Sequence, residues 1–131
     1  MHNKTAADVM TAKVVTIRAD ALLIDAIRLL LEHRISGLPV VDADRKMVGI
    51  ITEHDFMNFA FSGDAADTKV EEAMCRKVVS FTTTTDIATL VNAFAEKRIK
   101  RVPIVDDHGC LVGVVSRRDI LREMLAMYGR F

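Results

Sequence analysis

Two five-residue stretches, Met47-Val48-Gly49-Ile50-Ile51 and Leu111-Val112-Gly113-Val114-Val115, are almost wholly apolar. A strand covered on both faces reads this way, so each is predicted to be a central strand. Upstream of each lies a shorter apolar run containing a proline, Leu38 to Val41 and Val102 to Val105. These runs end in the polar stretches Asp42-Ala43-Asp44-Arg45 and Asp106-Asp107-His108-Gly109, which predicts a strand followed by a turn. Further upstream, Leu22, Ala26, Ile27, Leu30 and Leu31 recur at helical spacing, as do Ile87, Leu90, Val91, Phe94 and Ala95. Each set forms one buried stripe, with Asp20 in the first helix and Thr85 or Asp86 in the second as candidate N-caps. Ahead of them the pattern predicts a short helix, Ala6 to Met10 behind Thr5, and its counterpart Val70 to Met74 behind the capping-box pair Thr68 and Glu71. Short strands follow at Val14 to Ile17 and Val78 to Phe81. Closing helices carry apolar faces at Phe56, Met57 and Ala60, and at Ile120, Leu121, Met124, Leu125 and Tyr128.

The same order of elements occurs twice because the sequence itself does. Shifted by 64 positions, Met10 meets Met74, Arg34-Ile35 meets Arg98-Ile99, Pro39 meets Pro103, Val48-Gly49 meets Val112-Gly113 and Asp55 meets Asp119, without an insertion. A fixed-offset match of this kind marks a duplicated unit. The repeats are assigned to residues 1–61 and 69–131, joined by a small polar linker at 62–68. Each half holds only about 60 residues, a size at which a core is marginal alone, so the halves are expected to pack as one compact module.

Composition narrows the function. The chain has 131 residues, half of them hydrophobic, with eighteen basic residues balancing eighteen acidic ones. That balance gives no overall field for a nucleic-acid backbone or an anionic membrane. No apolar run reaches the roughly 20 residues of a membrane span, and the opening MHNKTAADVM lacks the apolar core of a secretion signal, so a cytoplasmic protein is expected. Cys75 and Cys110 form no disulfide framework and are given no role.

Two segments carry candidate chemistry. Each apolar strand ends in a hydroxyl followed three positions later by a carboxylate: Thr52-Glu53-His54-Asp55 and Ser116-Arg117-Arg118-Asp119. Such a pair caps a helix without needing any ligand. The same geometry presents backbone N–H groups to a phosphate and a carboxylate to the two hydroxyls of a ribose, and both roles can coexist. The second segment is Ile35 to Val40 with its partner Ile99 to Ile104, where Pro39 and Pro103 argue for an edge or the first residues of a strand. Thr16 and Ser80, near the ends of the opening strands, either line the same crevice or satisfy local backbone. His108-Gly109-Cys110 beside Asp106 and Asp107 fits no common zinc spacing, and no metal site is assigned. Of the arrangements that catalysis uses, a nucleophile with its base, paired acids in a cleft or a glycine-rich phosphate loop, none is suggested, the only duplicated polar motif being the one above, so no enzyme is indicated. The lone glycine of Val48-Gly49-Ile50 is no dinucleotide fingerprint.

Both halves resemble CBS domains, named for cystathionine β-synthase, and together they resemble a Bateman module. The resemblance is carried by GLPVVD with VGIITEHD and by RVPIVD with VGVVSRRD, and it covers nearly the whole chain. It implies an α+β fold of two βαββα-type repeats related by pseudo-two-fold symmetry, with small three-stranded sheets packed together and helices outside. It implies a nucleotide cleft for each repeat, taking AMP, ADP or ATP, or NAD or S-adenosylmethionine, and a homodimer. No cofactor is implied beyond that regulatory ligand.

Carried over by position, the resemblance assigns ribose recognition to Asp55 and Asp119, with Thr52 and Ser116 bonding ribose or phosphate. Adenine is expected around Thr16, Gly37, Leu38 and Pro39 in the first cleft, which His54 also lines, and around Ser80, Arg101, Val102 and Pro103 in the second. Lys100, Arg101, Arg117 and Arg118 stand where the first repeat has Ser36, Gly37, Glu53 and His54. Guanidinium groups suit phosphate oxygens and Glu53 opposes them, so the second cleft is expected to hold phosphorylated ligand more tightly. The resulting expectation is a regulatory module that signals occupancy to a partner chain whose identity the sequence does not give. A constitutive dimeric scaffold with empty clefts is the alternative.

Overall fold

The computed structural model describes residues 3–97 and 99–129, which leaves Arg98, one of the positions matched in the repeat, outside it. In chain order the elements are α1 (Ala6–Val9), β1 (Ile17–Arg18), α2 (Leu23–His33), β2 (Gly37–Val41), β3 (Met47–Thr52) and α3 (Glu53–Phe56), continued by a 3-10 turn at Met57–Phe59. The second series is α4 (Val70–Ala73), β4 (Phe81–Thr82), α5 (Ile87–Lys97), β5 (Arg101–Val105), β6 (Leu111–Ser116) and α6 (Arg117–Tyr128). They make two three-stranded sheets with helices, ordered β1-β2-β3 and β4-β5-β6, so the α+β expectation is met.

The chain folds into two compact units, Val15–Val78 and Met1–Val14 with Val79–Phe131. These units cut across the sequence repeats, because each takes its opening helix from the other repeat. In the first unit, β1 runs parallel to β2 through the crossover helix α2, and β2 runs antiparallel to β3. Leu23, Ala26 and Leu30 of α2 pack with Leu38, Val40 and Ile51 in one core. Val70 of α4 joins that core, and its N–H donates to Ala21 O at 2.8 Å. The other unit repeats the plan: Ile87, Leu90 and Phe94 of α5 cover Val102, Ile104 and Val115, and Ala6 of α1 closes the core.

The glycines of the long strands permit this docking. A Cβ on Gly49 would stand 2.7 Å from Met74 Sδ and 2.8 Å from Cys75 O. One on Gly113 would stand 2.5 Å from Met10 Sδ and 3.1 Å from Thr11 O. The segment after each short helix lies against the strand at that point, and only a residue without a side chain admits it.

Several local expectations are corrected. The opening strands are shorter and later than Val14 to Ile17 and Val78 to Phe81, since pairing with β2 and β5 starts only at Ile17 and Phe81. The central strands are β2 and β5, while β3 and β6 are flanking strands whose burial alternates. Pro39 and Pro103 accordingly sit third in a central strand, not at an edge or a strand start. Each faces a residue whose polar groups point away: Ile50 exchanges both its hydrogen bonds with Cys75, and Val114 with Thr11. A proline there removes no bond from the ladder.

Capping also departs from local reading. The Thr68 and Glu71 box is displaced by one residue, with the Glu72 carboxylate accepting from Lys69 N at 2.7 Å. Asp20 pairs with Arg18 instead of capping α2. The first N–H groups of α2, those of Leu23 and Ile24, donate to Thr68 O and Ala65 O, so the polar connection docks on that helix end. Asp86 does cap α5, accepting from Thr89 N at 2.9 Å. The closing helix of the first repeat is a single turn, whereas α6 runs for 12 residues.

Candidate functional site

Strand register gathers the polar motifs that sequence reading held apart. Gly37 pairs with Thr52 and Arg101 with Ser116, which sets the start of the central strand beside the hydroxyl that ends its neighbour. Ile17 pairs with Val40 and Phe81 with Ile104, so Thr16 and Ser80 come level with Pro39 and Pro103 at the same end of each sheet. Thr16 is half-buried and Ser80 exposed. Leu38, Pro39, Val102 and Pro103 are buried, and Leu38 and Val102 belong to the cores, so the groups these residues can offer a ligand are mainly backbone ones.

Both hydroxyl and carboxylate pairs form the helix caps that their spacing predicts. Asp55 Oδ2 accepts from Thr52 N at 2.8 Å and from Thr52 Oγ1 at 3.2 Å. Asp119 Oδ2 accepts from Ser116 N at 2.7 Å and from Ser116 Oγ at 3.0 Å, while Asp119 N donates back to Ser116 Oγ at 3.2 Å. Capping therefore commits one carboxylate oxygen in each repeat and leaves Oδ1. In the first repeat Oδ1 of half-buried Asp55 has no partner among the described residues. In the second, Oδ1 of buried Asp119 accepts from Arg122 Nη1 at 2.9 Å. Sequence reading missed Arg122, although its position three residues beyond Asp119 on a helix was the available signal.

The N–H groups at the helix starts are fewer than the motif implies. Glu53 N donates to Ser36 O and Arg117 N to Lys100 O, each at 3.0 Å. With Asp119 N turned to Ser116 Oγ, the N–H left for an anion among the first three of α6 is that of Arg118. Arg117 is tied a second time, its Nε donating to Ile99 O at 2.8 Å. The side chains of Lys100, Arg101 and Arg118 are exposed and make no hydrogen bond or ion pair among the described residues. Glu53 and His54 hold the corresponding exposed positions at the start of α3. A Cβ on Gly37 would stand 3.2 Å from the Thr52 methyl, whereas the second repeat pairs a side chain, Arg101, with a serine that has no methyl. The cross-strand partners have thus changed together.

The turns opposite these ends are each organised by a carboxylate. Asp106 Oδ1 accepts from His108 N and Cys110 N, both at 2.9 Å, and Asp42 Oδ1 accepts from Asp44 N and Lys46 N. The Cys110 N–H above all, with the His108 N–H and ring beside it, holds the Asp106 carboxyl below its ordinary range. Among the described residues no helix is long and apolar enough to cross a membrane.

The fold and the two matched strand ends define a pair of small α+β units, each with a hydroxyl, a carboxylate and the start of the central strand at one sheet end. The chain belongs to the CBS-domain family, whose model matches residues 6–62 and 70–126. An uncharacterized 17.7 kDa protein of Acidianus ambivalens is 30% identical over 92% of this chain and 73% of its own length. The inosine-5'-monophosphate dehydrogenase of Methanocaldococcus jannaschii is 34% identical, but the chain spans only 23% of its length. Among solved structures, CBSX2 in complex with AMP superposes with a TM-score of 0.85 at 24% identity, covering 96% of this chain and 99% of that one. The CBS domain pair of protein MJ0100, in complex with 5-methylthioadenosine and S-adenosyl-L-methionine, gives 0.76 at 28% identity, covering 95% and 98%.

Proposed function

We propose that this chain is a cytoplasmic regulatory module that binds adenosine-containing ligands at the ends of β3 and β6 and passes their occupancy to a partner protein. The observation that carries this reading is the doubled strand end, where the pairing of Gly37 with Thr52, and of Arg101 with Ser116, brings the start of the central strand and a capping carboxylate to one place. A carboxylate oxygen beyond the needs of the cap accepts from a ribose hydroxyl. The 28% identical MJ0100 pair, solved with two adenosyl ligands, supports the ligand class. In this reading Asp55 and Asp119 hold the ribose, and Thr16 and Ser80 line the adenine side. Lys100, Arg101 and Arg118 favour phosphorylated ligands in the second repeat, where α6 also supplies a full helix dipole. Signalling requires the ligand to favour one arrangement of the protein over another.

A thermal-shift screen with AMP, ATP, NAD and S-adenosylmethionine tests the reading. A ligand at about a hundred times its Kd adds about 2.7 kcal/mol to stability and raises Tm by several degrees. If none of the four raises Tm, the module does not sense such ligands. The scaffold reading then takes over, favoured by exposed Leu121, Leu125 and Tyr128 along one side of α6, a face suited to a second copy in a homodimer.

A further inference from the structure

We propose that Arg122 is a latch on the ribose carboxylate of the second repeat, so that a nucleoside reaches Asp119 only by displacing the guanidinium. This rests on the ligand-binding reading above and names how that site is controlled. Asp119 has two oxygens, and Ser116 holds Oδ2 through both its N–H and its hydroxyl. The oxygen that remains, Oδ1, is the one Arg122 Nη1 occupies at 2.9 Å. The Asp119 side chain is 7% exposed while that of Arg122 is 72% exposed, so the lid over a buried acceptor is itself in water and free to swing away. The first repeat shows the same carboxylate without the lid. Asn58 stands 64 positions before Arg122, is exposed, and makes no hydrogen bond to Asp55, whose Oδ1 stays open. The repeats therefore differ in access as well as in charge: Asp55 is open to a diol, and Asp119 exchanges one donor for another.

The exchange has a chemical signature. A ribose diol competes with Arg122 for Oδ1, whereas a 2',3'-dideoxyribose has no hydroxyl with which to compete. The test is a titration of uniformly 15N-labelled full chain with AMP, reading the Ser116 and Asp119 amides for one site and the Thr52 and Asp55 amides for the other. Arg122→Asn, which installs the residue of the first repeat, is expected to tighten AMP at the Ser116 and Asp119 amides by roughly two- to fivefold, the range of an ion pair whose cation is exposed and screened by solvent. Arg122→Lys should fall between the two, the Thr52 and Asp55 amides should report unchanged affinity, and 2',3'-dideoxy-AMP should show no gain from the substitution. Equal AMP affinity in wild type and Arg122→Asn, or an equal gain with the dideoxy nucleotide, overturns the latch and leaves the binding reading standing. No AMP response at either pair of amides in either protein overturns both.

Discussion

The ends of β3 and β6 share one backbone design and put it to different use. Both close a strand with a hydroxyl, both turn into a helix capped by a carboxylate three residues on, and both commit Oδ2 of that carboxylate to the cap. Beyond the cap they diverge. Asp55 caps a single turn that passes into a 3-10 turn, while Asp119 caps a helix of 12 residues and gains Arg122 on the next turn. The comparison teaches that the strand, hydroxyl and acid motif fixes where the carboxylate sits, whereas the residues after it decide how much of that carboxylate is left without a partner. A duplicated fold can hold its architecture constant and vary access through one helix face.

The strand glycines give the largest expected effect and set the repeats against each other directly. At Gly49 an added Cβ meets backbone, Cys75 O at 2.8 Å, as well as Met74 Sδ; at Gly113 its nearest neighbours are Sδ and Cγ of Met10, with Thr11 O farther at 3.1 Å. A methionine side chain can move aside and a hydrogen-bonded carbonyl cannot. Gly49→Ala should therefore cost about 2–3 kcal/mol and Gly113→Ala about 1 kcal/mol, measured by urea denaturation. Equal losses would mean that the flexible sulfur yields no better than the backbone.

Removing the caps has a smaller effect and ranks the repeats in the opposite order. Asp119 is buried, holds Ser116 and Arg122, and starts a long helix; Asp55 is half-buried and starts one turn. Without ligand, Asp119→Ala should cost about 1–2 kcal/mol and Asp55→Ala under about 1 kcal/mol, in line with the range for lost caps. Hydrogen exchange localises each loss to its own unit. A larger loss from Asp55→Ala would show that the single turn matters more to its core than its length implies.

The repeat, its strands and the crossover helices were legible because they follow from periodicity: Ala26 and Leu30 face a core, and so do Ile87, Leu90 and Phe94, although it is Leu23 rather than Leu22 that is buried and Leu31 is exposed. The hydroxyl and carboxylate pairs were legible because a cap is a local device. What escaped local reading depends on contacts remote in sequence. Ala65 O and Thr68 O cap α2 from more than 40 residues away, and Cys75 and Thr11 bridge the flanking strands. The prolines misled for the same reason, since their tolerance in a central strand depends on where Ile50 and Val114 send their own hydrogen bonds. Arg122 was legible by spacing, but what distinguishes it is that Oδ2 is already taken, which only the folded cap reveals.

The smallest expected effect separates the units by their response to acid. Asp8, Asp86 and Asp106 all belong to the unit built on Val79–Phe131, and each carboxyl is held below its ordinary 3.8 by hydrogen bonds. Asp8 accepts from the Thr5 backbone and hydroxyl, Asp86 from the Thr89 hydroxyl and backbone, and Asp106 from the Cys110 and His108 backbone. A carboxyl lowered by folding adds stability that is present above pH 3.8 and is lost as pH falls through its lower folded value. Asp8 and Asp86 are exposed and Asp106 is half-buried at the surface, so each contribution is slight, and they act together only because all three sit in one unit. Amide signals of that unit should broaden or exchange first as pH is taken from 6 toward 3. Asp86→Asn, which keeps an oxygen for Thr89 but does not titrate, should flatten part of that response. Loss of the Val15–Val78 signals first would instead place the acid-sensitive bonds in the other unit.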